Sequence, residues 1–305
     1  MSQRLDVLVV GCGIAGLTAA RECLRNGLNT ATLESFFPGG LVLNVNHLDG
    51  EIQGSGIDLA TQLMTEIGDL GGRNISGAAS SMRADDGGLV VSSETEEIHT
   101  RSVIVASGAK IKRLGIPGEA EFEGQGVSQC ADCDGPLFHG QDVVVVGGGD
   151  SALQEALALS EHARQVHILH RGSRFRARAN YVDAVTGKTN ITVRLRTVAE
   201  AVLGNAGVQA VRAKELDTGK TYEIACAGFF AYVGLEPVCG FVPEAAVRDA
   251  NGFLVTDASM RATLPGVYAA GVVRSGHGGL LSHAIADGIA AANSAKALRT
   301  GATPA

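Results

Sequence analysis

One pattern occurs twice in this chain and limits its fold more than any other feature. It is a short apolar strand, a glycine-rich turn, a helix and a second strand. The first copy begins with Asp6-Val7-Leu8-Val9-Val10 and continues at once into Gly11-Cys12-Gly13-Ile14-Ala15-Gly16. A helix is expected over 17–26, stopped by Gly27, and then a strand over 30–33 closed by Glu34. A strand that is apolar at every position is covered on both faces, as in a parallel sheet. In the GxGxxG turn, Gly11 allows the tight bend, Gly13 lets a pyrophosphate approach the backbone, and Gly16 lets helix and strand pack closely. The turn, with Ile14 and Ala15 between its glycines, opens the helix whose N-terminus faces the phosphates. Glu34 stands where a carboxylate accepts hydrogen bonds from an adenosine ribose. Cys12 reads as a small buried filler.

The second copy has a strand over 142–146, the turn Gly147-Gly148-Gly149-Asp150-Ser151-Ala152, a helix over 153–160 and a strand over 166–169. A duplicated nucleotide-binding unit says more than either copy alone. The copies differ at one decisive place. Where Glu34 ends the second strand of the first unit, the second unit has His170-Arg171, followed by Arg174, Arg176 and Arg178. A carboxylate there repels a 2′-phosphate, whereas arginines bind it through paired hydrogen bonds. The first unit therefore suits an adenosine with a free ribose, as in FAD or NAD, and the second suits NADPH. The alternative for the arginines is a solvated basic loop.

Between the copies lies Cys130-Ala131-Asp132-Cys133-Asp134-Gly135. Two cysteines three positions apart can form a small disulfide or act as a dithiol carrying two electrons. The same spacing supplies half of a zinc site when a second pair lies nearby. Here Cys12, Cys23, Cys226 and Cys239 are scattered, which favours the dithiol over zinc or an incidental pair. Asp134 could move the proton that accompanies thiolate chemistry. Asp132 puts a carboxylate between the cysteines, and that raises the pKa of a nearby thiolate.

The rest of the chain reads as connecting structure. A loop over 38–50 covers the nucleotide, and apolar residues at Ile57, Leu59, Leu63, Met64 and Ile67 give a helix over 54–70. Short strands are expected over 87–91 and 98–101. A second buried strand over 102–109 ends in Ala106-Ser107-Gly108-Ala109, small enough for a flat cofactor to approach. Gly115-Ile116-Pro117-Gly118 reads as a linker. Further strands are expected over 191–195, 207–213, 221–225, 228–234, 253–255 and 266–271, and a helix over 281–298. His277 and His283 read as polar loop and helix positions rather than acid–base groups. A length of 305 residues suits two domains, and 41 glycines with 45% hydrophobic residues suit an α/β protein rich in tight turns. The net charge of −7 argues against a nucleic-acid partner. A strand starting at Asp6 leaves no room for a signal peptide, no apolar run approaches a membrane span, and the cysteines lack a secreted pattern, so a cytoplasmic protein is expected.

With both turns and the cysteine pair placed, the chain resembles the low-molecular-weight thioredoxin reductases and the reductase half of alkyl hydroperoxide reductase flavoproteins. The matching pieces run in family order: GCGIAG, ASGA at 106–109, CADCDG at 130–135, GGGDSA at 147–152, HRxxxFRA from His170 to Ala177, and PGVYAAG at 265–271. The resemblance implies an α/β fold with two Rossmann-like domains of the three-layer ββα type, the second inserted into the first. A discontinuous FAD domain would cover 1–112 and 238–305, and an NADPH domain carrying the cysteine pair 113–237. FAD would be held by Gly11, Gly13, Ile14, Ala15, Gly16, Glu34, Gly40, Leu41, Ala106, Ser107, Gly108, Gly271, Val272, His283 and Ala284. NADPH would be held by Gly147, Gly149, Asp150, Ser151, Ala152, His170, Arg171 and Arg176.

The same resemblance implies that electrons pass from NADPH through FAD to a Cys130–Cys133 disulfide, and then to a thioredoxin-like protein or a small disulfide. Cys133 would lie against the flavin, Cys130 would attack the partner, and Asp134 would supply the proton. The NADPH domain would rotate during turnover, and homodimers are usual. Five places depart from the family pattern. Val272 replaces an aspartate that bonds the flavin ribityl chain, and Leu281-Ser282-His283-Ala284 replaces a stretch beginning Arg-Gln-Ala. Gly39-Gly40-Leu41 replaces Gly-Gly-Gln, Asn46-His47-Leu48-Asp49-Gly50 replaces Glu-Asn-aromatic-Pro-Gly, and Gly172 replaces an arginine. The first four fall on the flavin side. They favour, as a second reading, a dithiol oxidase passing electrons from flavin to oxygen. A nucleotide-binding module without turnover is the third, disfavoured by the complete Cys-x-x-Cys-Asp set.

Overall fold

The computed structural model describes residues 4–44, 48 and 54–300. The chain divides into two compact units, Met1–Lys110 with Glu236–Ala305, and Ile111–Leu235. The first unit begins with β1 (Leu5–Val10), α1 (Ile14–Arg25), β2 (Thr30–Glu34), α2 (Gly56–Asp69), β3 (Arg73–Ser76), β4 (Ala79–Asp85), β5 (Gly88–Ser93) and β6 (Glu97–Val105). A 3-10 turn over Gly40–Asn44 precedes α2. Ser55 caps α2, accepting the Asp58 N–H at 3.1 Å while the Asp58 carboxylate accepts the Ser55 N–H at 2.9 Å. Then β7 (Ala109–Ile111) leads into the second unit.

That unit contains β8 (Val127–Ser128), α3 (Ala131–Asp134), β9 (Asp142–Gly147), α4 (Asp150–Ser160), β10 (Gln165–His170), α5 (Ala179–Thr186) and β11 (Ile191–Leu195). It ends with β12 (Thr197–Gly204), β13 (Val208–Glu215), β14 (Thr221–Ala225) and β15 (Gly228–Tyr232). The chain returns through β16 (Leu235–Pro237), which pairs with β7, and completes the first unit with β17 (Val267–Ala269) and α6 (Leu281–Thr300).

Each unit repeats one plan. In the first, the strand order is β3-β2-β1-β6-β5-β4, with β17 also paired to β6. Val7 and Val9 of β1 pack with residues of α1, α2 and α6 on one face, and Leu8 and Val10 join a second buried cluster on the other. Burial on both faces is why this strand has no polar alternation. In the second unit, β11-β10-β9-β15-β8 form a parallel sheet. Val143 and Val145 pack with α4, while Val144 and Val146 pack with the antiparallel β12-β13-β14 meander.

Several expectations change. The strands expected over 98–101 and 102–109 are largely one strand, β6. Its first half pairs antiparallel with β5 and its last three residues pair parallel with β17. The strand expected over 253–255 is absent. Leu254 forms isolated bridges to Arg248 and Arg274, and turns organised by the carboxylates of Asp249 and Asp257 stop a ladder from growing on either side. The expected linker at Gly115-Ile116-Pro117-Gly118 is a fixed turn inside the second unit. The buried Glu119 accepts the N–H groups of Leu114 and Gly115 at 3.0 and 2.7 Å. β3, β4, α5 and β12 are additional elements.

Candidate active site

In the first unit, the glycine turn makes a steric cradle. Gly11 has φ +99°, and a Cβ there would lie 2.5 Å from the Ala106 carbonyl oxygen. A Cβ at Gly16 would lie 1.9 Å from the Gly11 carbonyl oxygen. Gly13 is different: it precedes α1 without a side-chain cap, and a Cβ there would meet nothing within 4 Å. The start of α1 is thus open to a ligand at the residue expected to face a pyrophosphate, and no acidic side chain occupies its first turn. Ile14 and Ala15 follow as buried residues of that turn. Glu34 ends β2 and accepts the N–H of Cys12 at 2.7 Å and that of Phe36 at 2.9 Å, one on each oxygen. The oxygen facing Phe36 also accepts the Ser35 hydroxyl at 3.5 Å, and the oxygen facing Cys12 keeps a lone pair for a ribose hydroxyl. Burial pushes the Cys12 thiol up to about 12, consistent with a filler rather than a nucleophile.

Gly39 donates its N–H to the Cys12 carbonyl at 2.7 Å, which brings the 3-10 turn against the cradle. Gly40 comes close to Gly13, and Leu41 is exposed. Ala106 continues β6 by donating to the Val10 carbonyl, Ser107 donates its hydroxyl to the Val238 carbonyl, and Gly108 follows with φ +69°. Of the departures noted above, Asn46, His47, Asp49 and Gly50 lie outside the described residues.

Beside the start of α1 lies a polar cluster that sequence reasoning missed. Asp287 of α6 accepts the Gly271 N–H at 3.0 Å and grips Arg274 through two contacts, at 2.6 and 2.7 Å. The signal was a single acidic residue in an alanine-rich helix. Val272, where a ribityl-binding aspartate was expected, is half-buried beside it. His277 stands in the loop before α6, as expected, but its side chain is 2% exposed and Nε2 lies 3.8 Å from Asp287. Burial holds its pKa below the usual histidine range. His283 and Ala284 sit in the first turn of α6, His283 exposed and Ala284 half-buried.

In the second unit, a Cβ at Gly147 would lie 2.5 Å from the Ala152 Cβ, whereas the Gly149 position is open. Gly149 precedes α4, and Ser151 is exposed in its first turn. His170 is buried, and its Nε2–H donates to the Arg174 carbonyl at 3.0 Å. Burial lowers its pKa. Arg178 does not join the free arginines, because the Asp150 carboxylate takes both its N–H and its guanidinium, at 2.8 and 2.6 Å. Arg171, Arg174 and Arg176 are exposed, and among the described residues none forms an ion pair with a carboxylate. Gly172 lacks room for a side chain, since a Cβ would lie 2.6 Å from His170 Nε2. A Cβ at Gly148 would lie 2.2 Å from the same ring. Gly148→Ala should therefore expel the His170 ring, destabilising this unit by about 1–3 kcal/mol. A lowered urea midpoint together with weaker NADP⁺ titration would register it.

Cys130 and Cys133 are joined as a disulfide with Cα atoms 5.3 Å apart. Cys130 precedes α3, and its sulfur accepts the Cys133 N–H at 3.2 Å. Its own N–H donates to the Ser128 hydroxyl at 3.2 Å. Cys133 is exposed and Cys130 half-buried; Asp134 ends α3 half-buried, and Asp132 is exposed. Behind this turn, the Glu155 carboxylate accepts the Ala131 N–H at 2.9 Å. The second unit therefore carries a two-electron couple, an open helix start and three unpaired arginines.

A family model described as pyridine nucleotide-disulphide oxidoreductase matches residues 5–288. A thioredoxin reductase of Treponema pallidum is 36% identical over 299 residues, covering 97% of each chain. That of Bacillus subtilis is 32% identical over 293 residues, covering 95% of this chain and 93% of its own. The crystal structure of Lactococcus lactis thioredoxin reductase superposes with a TM-score of 0.90 at 34% identity, covering 98% of this chain and 100% of that one. For T. acidophilum thioredoxin reductase the TM-score is 0.87 at 31% identity, with the same coverage.

Proposed function

Because this chain belongs to the pyridine nucleotide-disulphide oxidoreductase family, we propose that it is a thioredoxin reductase-like disulfide reductase that uses NADPH and FAD. The observation that carries this reading is the Cys130–Cys133 disulfide inside a nucleotide-binding unit, directly before that unit's glycine-rich strand. The partner is thioredoxin or a thioredoxin-like protein, the enzyme is a homodimer, and it works in the cytoplasm. Among the described residues no helix is long and apolar enough to cross a membrane.

The residues fit both nucleotides. Gly11, Gly13 and Gly16 admit the FAD pyrophosphate, and Glu34 takes its ribose. Val272 offers the ribityl chain no carboxylate, so that stretch relies on backbone groups that Asp287 holds in place. Gly147, Gly149 and Ser151 admit NADPH, and Arg171 and Arg176 take its 2′-phosphate. Met1–Lys110 with Glu236–Ala305 is the FAD-binding unit, and Ile111–Leu235 the NADPH-binding unit. When bound, FAD supplies the two-electron relay between the nicotinamide and the cysteines.

Two electrons and two protons open the Cys130–Cys133 disulfide to two thiols. Cys130 gives its proton to Asp134 and attacks the partner disulfide as the thiolate, forming a Cys130–partner disulfide and releasing one partner sulfur, which takes that proton from Asp134. Cys133 attacks the mixed disulfide, its proton passes to the second partner sulfur as that sulfur leaves, and Cys130–Cys133 is restored. Exposure alone would make Cys133 the attacking sulfur. Hydrogen bonding favours Cys130, because the Cys133 N–H points at its sulfur and stabilises a thiolate there.

Anoxic addition of NADPH and then NADH to the flavin-loaded protein tests the reading. Rapid flavin bleaching by NADPH, and much slower bleaching by NADH, is expected. The altered stretch at Val272 favours dithiol oxidation as the second reading. That reading predicts bleaching by a small dithiol and by neither nicotinamide nucleotide.

A further inference from the structure

Glu155 stands on α4 directly behind the cysteine turn. One oxygen, Oε2, accepts the Ala131 N–H at 2.9 Å and the Tyr232 hydroxyl at 3.2 Å. Ala131 lies next to Cys130 and is 1% exposed. Its N–H belongs to the first turn of α3, where no intrahelical acceptor exists. The carboxylate is therefore what satisfies it, and a buried N–H without an acceptor is destabilising. Tyr232 ends β15, so the carboxylate ties the cysteine turn to both the central sheet and α4.

The surroundings also disfavour the charged form of this carboxylate. Burial raises its pKa, and the charge of Asp132 adds to the effect. Burial, followed by the neighbouring carboxylate, pushes the Tyr232 hydroxyl well above its ordinary value. The titratable groups facing the turn are Asp132 and Asp134 from α3, Tyr232 from β15, and His162, whose ring faces Gly135. Opening the disulfide places up to two negative sulfurs in this already acidic neighbourhood.

We propose that Glu155 is a positioning residue for the dithiol, holding the Ala131 end of the turn and making thiolates at Cys130 and Cys133 harder to form through its like charge. The inference rests on the redox role proposed above for the pair. It implies that reduction of the disulfide draws protons into the site, with Glu155 shifting toward its protonated form whenever a neighbouring sulfur ionises. Bonds and electrons are those of the disulfide step; Glu155 exchanges only a proton.

The test uses the full-length protein reduced with dithiothreitol, so it depends on neither nicotinamide nor flavin turnover. The rate of iodoacetamide alkylation would be followed against pH, with Cys133→Ser and Cys130→Ser reporting each remaining sulfur separately. Glu155→Gln keeps an oxygen for the Ala131 N–H but removes the charge. It should move the alkylation midpoint down by roughly half to one pH unit. Alkylation below the wild-type midpoint should then be about threefold to tenfold faster. Glu155→Ala also removes the charge, so it should move the midpoint in the same sense. A purely structural Glu155 would leave the Glu155→Gln midpoint unmoved, and that result in a folded variant overturns the proposal. Should Glu155→Gln fail to fold, an unmoved Glu155→Ala midpoint overturns it equally. Loss of NADPH-driven turnover with the alkylation shift intact would count against the reductase reading and not against this one.

Discussion

Cys130→Ser should abolish disulfide turnover while NADPH still bleaches the flavin. A serine hydroxyl at this position ionises far less readily than a thiol and cannot form the mixed disulfide. The loss should be at least about a thousandfold, the scale expected when one member of a catalytic unit is removed. Cys133→Ser should also end turnover, because nothing then resolves the mixed disulfide. The two variants differ in what they trap. Cys133→Ser should accumulate a covalent adduct between Cys130 and a partner bearing one exchangeable disulfide, visible by non-reducing electrophoresis. Cys130→Ser should not. An adduct with the variants reversed would transfer the attacking role to Cys133, the more exposed sulfur.

Asp287→Ala should destabilise the first unit by about 3–5 kcal/mol, the range for removing one partner of a buried ion pair. Asp287 and Arg274 have side chains only 5% and 19% exposed, so the guanidinium left behind is poorly hydrated and has lost both contacts to the carboxylate. The Gly271 N–H loses its acceptor as well. Gly271 packs tightly on α1, since a Cβ there would lie 2.8 Å from the Ala15 Cβ. Loosening it should carry into the glycine cradle at the start of α1. Denaturant unfolding should show the lost stability, and gel filtration should show lower flavin retention. Replacing the pair together, Asp287→Leu with Arg274→Met, should recover much of the stability, because it leaves no unpaired buried charge. Flavin retention should recover less, since a leucine side chain accepts nothing from the Gly271 N–H.

Both glycine turns were legible in the sequence because they answer to hard steric limits. The contacts a Cβ would make at Gly11 and Gly16 leave no alternative residue. The strands flanking them were legible for a related reason, as burial on both faces demands unbroken apolar runs. The unforeseen elements lack that signature. β3 buries only Ile75 and β4 only Met82, while α5 buries only Val185, so no period stands out. β6 was split because its partners change midway, which a one-dimensional pattern cannot register. Within the site, the cysteine pair and the unpaired arginines were apparent from their types and spacing. The pairing of Arg178 with Asp150, the burial of His277 and the Arg274–Asp287 pair were not. Each depends on which charged groups the tertiary fold brings within reach, and several candidates stood at similar sequence distance.

The pairing of β7 with β16 has a consequence for how such a chain could arise and be taken apart. Lys112 donates to the Gly234 carbonyl at 2.9 Å, and Val238 donates to the Gly108 carbonyl at 3.0 Å. Entry and exit of the inserted segment are therefore one hydrogen bond apart. A tight hairpin turn could replace the whole segment without stretching the host, and the excised piece could be closed head to tail by an equally short bridge. The seam of the inserted segment lies where β7 and β16 already pair, and that seam is where a designer could splice in a different module.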